Sequence, residues 1–434
     1  VKINPGRIKK TKFIELNYMV KFYRQQLANG LQLILYPDYS TPMVALDVCY
    51  HVGAKNENPE RTGFAHLFEH LMFGGSKNIP DYDRALQEAG GENNAYTTND
   101  YTNYYLTVPK DNLEIGFWLE SDRMLELDFS EESLNVQRNV VIEEFKQRNL
   151  NQPYGDVWPL LRELAYEVHP YRWQTIGKEI SHIEDASLTE VKSFFYNFYT
   201  PDNAALILSG NIDLDQSLLL AEKWFGPIPN RNVNKASIPQ EPEQKSFREK
   251  TVERDVPDTA LYLAFHMPDR RHRDYYVCDL ISDVLSNGNS SRMYQKLIKE
   301  QKLFVELDAY VSGDHDPGLF IVSGKLAGGV TIEQAKIAIW KELSRMQQEL
   351  VPAVELEKVK NKLEANLVYA QMNYLSMAQE LASFEDIDRA ELVNEQLDFY
   401  RSISSADLMQ MTQKLFQTTN CSQLNYLAKN DRSN

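Results

Sequence analysis

The sequence predicts an α+β fold in two parts, and three observations carry that expectation. Short apolar or alternating runs of strand character are mixed with longer segments of helical periodicity in both halves of the chain. The strict β-α-β alternation and GxGxxG fingerprint of a dinucleotide fold are missing. Near the middle, residues 226–242 (GPIPNRNVNKASIPQEP) hold four prolines with Gly and Asn and almost no hydrophobic periodicity, the composition of an extended linker. The expected organisation is therefore one domain over residues 1–226, a linker over 227–246 and a second domain over 247–434.

In chain order, residues 31–36 and 43–51 (MVALDVCYH) read as strands, with residues 37–42 supplying the turn between two prolines. Residues 101–108, rich in Tyr and Thr and closed by Pro109, read as another strand. Residues 112–126, 131–147, 332–349 and 355–375 show apolar residues at helical spacing. Each half opens with a comparable apolar strand, 43–51 in the first and 260–266 (ALYLAFH) in the second, which suggests an internal duplication.

Composition excludes several classes. The 434 residues carry 46 Lys+Arg against 62 Asp+Glu, a net charge of −16, which repels phosphate backbones and disfavours nucleic-acid binding. The same balance suggests basic peptides as partners. No uncharged apolar run approaches the roughly 20 residues of a membrane-spanning helix. The three cysteines, Cys49, Cys278 and Cys421, are scattered and odd in number, so neither a disulfide framework nor a CxxC metal site is expected. No signal-peptide h-region follows the first basic residues. A soluble protein is expected, with cytoplasm and periplasm both open.

The segment RTGFAHLFEHLMFGG, residues 61–75, carries the chemistry. As a helix it places Phe64, Leu67, Phe68, Leu71 and Met72 on one stripe and gathers His66, Glu69 and His70 on the other side. His66 and His70 lie one turn apart, with Cβ atoms about 6 Å from each other, close enough to share one metal ion. Glu69 beside them is a carboxylate placed to take the proton from a metal-bound water. The pattern HxxEH is the reverse of the HExxH metalloprotease helix; the plain alternative is an amphipathic helix with two His and a Glu on its wet face.

A catalytic zinc needs a third protein ligand. The helix expected over 131–147 offers Glu143 and Glu144. Its apolar stripe is Leu134, Val141 and Phe145, joined by Val140, and Glu144 shares that face while Glu143 lies about 160° from Val141. An inward carboxylate needs a cation to offset several kcal/mol of desolvation, whereas an outward one needs nothing. Glu144 is the better candidate.

With these residues in place, the chain resembles the pitrilysin and insulinase family of inverted-motif zinc peptidases, most closely its small bacterial members of mitochondrial-processing-peptidase type. The resemblance rests on Thr62-Gly63 before His66, Glu69 and His70, then on Gly90, Gly91, Asn94, Ala95, Thr97, Asp100, Thr102 and Tyr104. It continues through residues 138–144, Gln152 to Gly155, His169 to Arg172 and Thr175 to Gly177. It implies two similar α/β-roll domains, each a mostly antiparallel sheet packed with helices. It also implies a zinc metalloendopeptidase acting on unfolded peptides or presequences, with one Zn²⁺ per chain held by His66, His70 and Glu144, and Glu69 as general base. Asn94 and Ala95 would contact the substrate backbone along an open strand edge.

Two departures from the family pattern matter. A second acid often found seven residues before the glutamate ligand is Gln137 here. In the second half, the arginine and tyrosine that hold the substrate carbonyl in many members are Ile298 and Val305, neither of which can donate a side-chain hydrogen bond. The resemblance then implies a dimer, with a second, zinc-free subunit supplying the missing pair, or Arg292 and Tyr294 as substitutes. The rival expectation is a non-catalytic core subunit of the same fold.

Overall fold

The computed structural model describes residues 19–233 and 237–429; the basic start of the chain, the middle of the linker and the last five residues lie outside the described part. The first sheet contains β1 (Tyr23–Gln26), β2 (Gln32–Pro37), β3 (Met43–Tyr50), β4 (Glu92–Thr97), β5 (Thr102–Pro109) and β6 (Ala204–Gly210), in the order β1-β2-β6-β3-β5-β4. The second contains β7 (Arg248–Arg254), β8 (Ala260–His266), β9 (Phe304–Val311), β10 (Leu319–Leu326) and β11 (Cys421–Ala428), in the order β7-β11-β8-β10-β9.

Leaving β1 aside, the two sheets share one topology. In each, the five strands lie in the order first, last, second, fourth, third. The first and last strands are parallel, and every other pairing is antiparallel. The repeat suggested by the two opening strands is thus visible in the connectivity, where twice over a crossover after three antiparallel neighbours inserts the last strand between the first and the second.

The near-continuous apolar run of β3 follows from burial of the sheet on both faces. Val44, Leu46, Val48 and Tyr50 point into the main core of the first half, together with Leu206 and Leu208 of β6. Ala45, Cys49, Ala205 and Ile207 point to the opposite face, where they pack against Met377, Ala378, Leu381 and Ala382. Those residues belong to the helix Tyr374–Ile387, which comes from the second half of the sequence. The second sheet receives a helix in return: Val157, Leu161 and Ala165 of Val157–Ala165 pack on Ala260, Ala264, Ile321 and Leu424. Alanines at both contacts let the borrowed helix approach the pleat closely.

One expected helix is two. The segment 355–375 divides into Ala353–Gln371 and Tyr374–Ile387, because Asn373 accepts hydrogen bonds from the backbone N–H groups of Leu375 and Ser376 and starts a new helix. All three cysteines are free and buried, as expected of small apolar side chains. Among the described residues no helix is long and apolar enough to cross a membrane.

The lent helix Tyr374–Ile387 also carries charge into the contact. Asp386 Oδ1 lies 2.5 Å from His51 Nδ1, and Asp386 Oδ2 lies 2.8 Å from Nε2 of His315, in the β9–β10 loop. Burial works against the ionised Asp386, but the two histidines outweigh it and hold its carboxyl at about 2. For His315, burial is outweighed by the Asp386 hydrogen bond and charge, so its pKa is raised. The Asp386 contribution to stability is therefore present above the unfolded carboxylate range, near pH 4, and is lost as pH falls towards 2. The His315 contribution is present below about pH 6.5 and is lost as pH rises through its raised value. Asp386→Asn should cost about 2–3 kcal/mol at pH 5.5 and distinctly less at pH 9, as measured by denaturant unfolding at both pH values.

Candidate metal centre

The histidine helix, Phe64–Leu71, begins where the backbone turns through Gly63 at φ +89. A Cβ there would sit 2.8 Å from the carbonyl oxygen of Ile176, so only glycine fits both the left-handed angle and the space. Thr62 Oγ1 accepts the backbone N–H of Lys178, which ties the Thr62-Gly63 motif to the Thr175–Gly177 motif more than a hundred residues away. Glu57 accepts from the backbone N–H groups of Gly63 and Ala65 and so satisfies the open first turn. Phe64, Leu67, Phe68 and Leu71 are buried in the main core, and that packing fixes the rotation of the helix.

On its other side the helix presents His66, Glu69 and His70. Nε2 of His70 lies 3.3 Å from Glu144 Oε2, and Nε2 of His66 lies 3.6 Å from the same oxygen. One donor atom from each of the three residues falls within 4.8 Å of both others. Zinc bonds of 2.0–2.1 Å in a tetrahedron place ligand atoms about 3.3–3.4 Å apart. The two imidazoles and the carboxylate fit a zinc ion, and three protein donors leave a fourth position open. His66 suits a metal ligand: burial lowers it to about 4, favouring the neutral imidazole a metal requires.

Glu144 comes from the helix Glu131–Phe145. Leu134, Val141 and Phe145 are buried as expected, while Glu143 is exposed and pairs with Lys146. Val140 departs from the expected stripe: it is 45% exposed, with Val136 at 53%, because this flank of the helix faces solvent rather than the core. Gln137 is half-buried and makes no side-chain hydrogen bond among the described residues. Arg148, one turn beyond Glu144 in the short π-helical continuation Lys146–Leu150, places Nη2 at 2.7 Å from Glu144 Oε1, leaving Oε2 directed at the histidines.

Glu69 does not join the cluster around Glu144. Its Oε2 accepts from Thr97 Oγ1 at 2.6 Å, and Thr97 is the last residue of β4. Burial raises the Glu69 carboxyl, and the Thr97 hydroxyl opposes that rise only in part. Asn94 and Ala95 lie on the same strand. β4 is the edge of its sheet, bonded on one side to β5 with Asn94 opposite Tyr105 and Ala95 opposite Tyr104. Among the described residues no strand neighbours its other side.

Sequence reasoning missed two contacts, Thr97 on Glu69 and Arg148 on Glu144. Thr97 stood in the family motif without a role, and Arg148 was readable as an i, i+4 partner. In the second half, Ile298 packs against the core, Val305 is exposed on β9, and Arg292 forms a two-pronged ion pair with Glu355 at 2.7 and 2.9 Å. Arg292 is thereby committed. His169 and Tyr171 are buried, with Tyr171 donating to Asp100 Oδ1, which is a structural arrangement.

A two-sheet α+β molecule with such a centre in its first half belongs structurally with metallopeptidases, and comparison with known proteins agrees. The profile "Insulinase (Peptidase family M16)" matches residues 33–178, which contain His66, Glu69, His70 and Glu144, and the profile "Peptidase M16 inactive domain" matches residues 185–363. The chain belongs to the insulinase family, peptidase family M16. It is 28% identical to the zinc protease PqqE of Helicobacter pylori over 93% of this chain and 92% of that one. It is 27% identical to the uncharacterized zinc protease YmxG of Bacillus subtilis over 81% and 84%. Among solved structures, a protease from Helicobacter pylori superposes with a TM-score of 0.88 at 26% identity, covering 94% of this chain and 99% of that one. Pitrilysin superposes at 0.77 and 18% identity over 94% of this chain and 45% of its own, a likeness of fold.

Glu144→Gln should weaken zinc binding by more than about 100-fold, beyond the 10–100-fold typical of an outer-shell change, whereas Glu143→Gln should leave it unchanged. Competition with a chromophoric chelator measures both.

Proposed function

We propose that the chain is a zinc metalloendopeptidase that cleaves unfolded peptides. The observation that carries this reading is the approach of the two imidazoles and Glu144 to one point, with the Glu69 carboxylate beside it and uncommitted to the metal set. His66, His70 and Glu144 would hold one zinc ion. Bound there, zinc supplies a Lewis acid that acidifies water and polarises a peptide carbonyl.

The remaining chemistry belongs to the chain. Glu69, held by the Thr97 hydroxyl, takes a proton from the attacking water and returns it to the leaving amine. Burial destabilises the Glu69 anion and so makes it a stronger base towards the water proton than an ordinary carboxylate, while the protonated form is still acidic enough to return that proton to the leaving amine. Arg148 holds Oε1 of Glu144 and so orients the ligand oxygen. The substrate would lie in extended form along the free edge of β4, with Asn94 and Ala95 against its backbone, so that recognition is largely independent of sequence.

We further propose the domain boundary at the linker 227–246 and a partner subunit in the working enzyme. Ile298 and Val305 cannot hold a substrate carbonyl, and Arg292 is occupied by Glu355.

Glu69→Gln should retain its zinc by elemental analysis and lose about 10²- to 10⁴-fold in kcat; measurable turnover that is equal in the two proteins would overturn the peptidase reading of this site. Thr97→Val should keep the metal and lower kcat roughly tenfold, the scale of one hydrogen bond to a charged group. Full activity from a chain that elutes as a monomer on gel filtration would remove the partner requirement.

A further inference from the structure

Behind Arg148, a cavity of about 590 Å³ lies between the two halves of the molecule. Its first-half wall comes from residues 148–162 and 174–176, and its second-half wall from β9 and β10, including Tyr310 and Ile321. The cavity is continuous with the metal centre through one side chain, because the same Arg148 that lines it touches Glu144.

The lining is unusual for this chain. Two arginines, Arg148 and Arg162, face the cavity, and among the described residues no Asp or Glu does, in a protein with 62 acidic against 46 basic side chains. Arg148 uses Nη2 on Glu144; its other N–H groups have no acceptor among the described residues. Arg162 Nη1 donates to Asn99 Oδ1 at 3.0 Å and to the Trp173 carbonyl at 2.9 Å, while its Nε and Nη2 have no acceptor there. Asp314, bonded to Asn99, offsets part of the Arg162 charge but does not line the space, which leaves Arg148 as the principal cation there. Tyr154, Trp158 and Tyr310 add aromatic surface, with the last two rings 6.1 Å apart, among neutral polar side chains that include Gln152, Gln174 and Ser312. Guanidinium groups with spare donors form strong, paired bonds with a carboxylate, and Arg148, exposed at the edge of this space, is reachable by one from solvent.

We infer that this cavity is a subsite for a carboxylate of the peptide substrate, supplied by a Glu or Asp side chain or by the C-terminus. The inference rests on the proposed peptidase reading and refines it. It also reverses the expectation drawn from net charge: next to the metal centre the protein selects acidic peptides rather than basic ones.

The test uses short unstructured fluorogenic peptides that differ only by Glu or Gln at successive positions around the cleaved bond, each made with a free or an amidated C-terminus. Cleavage by the zinc-loaded chain is compared with binding to the chelator-treated chain, followed by fluorescence anisotropy. Glu at one position should raise both kcat/KM and affinity about tenfold over Gln, the scale of a charge-assisted bond to arginine, and Arg148→Gln should bring the binding ratio close to one. A tenfold loss on amidation instead assigns the carboxylate to the C-terminus. Peptides that are cleaved and bound without regard to either change overturn the subsite and leave the peptidase reading standing. A preference in binding with no cleavage of any peptide does the reverse.

Discussion

The arrangement depends on a reciprocal contact: each sheet is covered on one face by a helix from the other half of the sequence. Helix Tyr374–Ile387 seals the first sheet and helix Val157–Ala165 seals the second. A sheet bare on one face would leave Ile207, Ile321 and their neighbours in water, at roughly 25 cal/mol per Å² of apolar surface. The halves are therefore placed by core packing rather than by surface contact. The charged residues at the same seam, Asp386 between His51 and His315 and Lys55 between Asp100 and Asp316, add direction to a contact whose strength is apolar.

The candidate metal centre is built within the first half by two helices under different constraints. The histidine helix is rigid because most of its side chains are buried and its entry is fixed by Gly63, Glu57 and Ile176. The Glu144 helix is anchored along one side by Leu134, Val141 and Phe145 and is open along the other. Its carboxylate accordingly stands at the border between core and cleft, where an ion can reach it. Thr97 and Arg148, from a strand edge and a helix extension, then divide the two carboxylates between separate partners.

Much of this was legible in the sequence. Strand limits agree to within a residue or so, because β3, β5 and β8 have dense apolar or β-branched runs closed by turns. Glu144 was separable from Glu143 because periodicity distinguishes an inward carboxylate from an outward one. Val140 was misplaced for the converse reason: periodicity marks an apolar face without saying whether a core or solvent lies opposite. The helix break at Asn373 escaped notice since the apolar spacing continues across it, although Asn is a strong cap. The exchange of helices was out of reach, as the pattern of Tyr374–Ile387 records that it is covered and not by what. The cavity charge was hidden because a sum over 434 residues cannot locate two arginines.

The shared strand order gives the molecule two free sheet edges in equivalent positions, β4 and β9. Among the described residues the first borders the candidate metal donors, whereas the second carries Val305 exposed, and Arg292 in the same half is tied to a glutamate. The swapped helices explain how one copy could lose its chemistry without being lost itself. Its helix still roofs the sheet of its twin, so selection for folding alone preserves it, and a nick in the connecting segment would sever the chain while leaving the two pieces clasped.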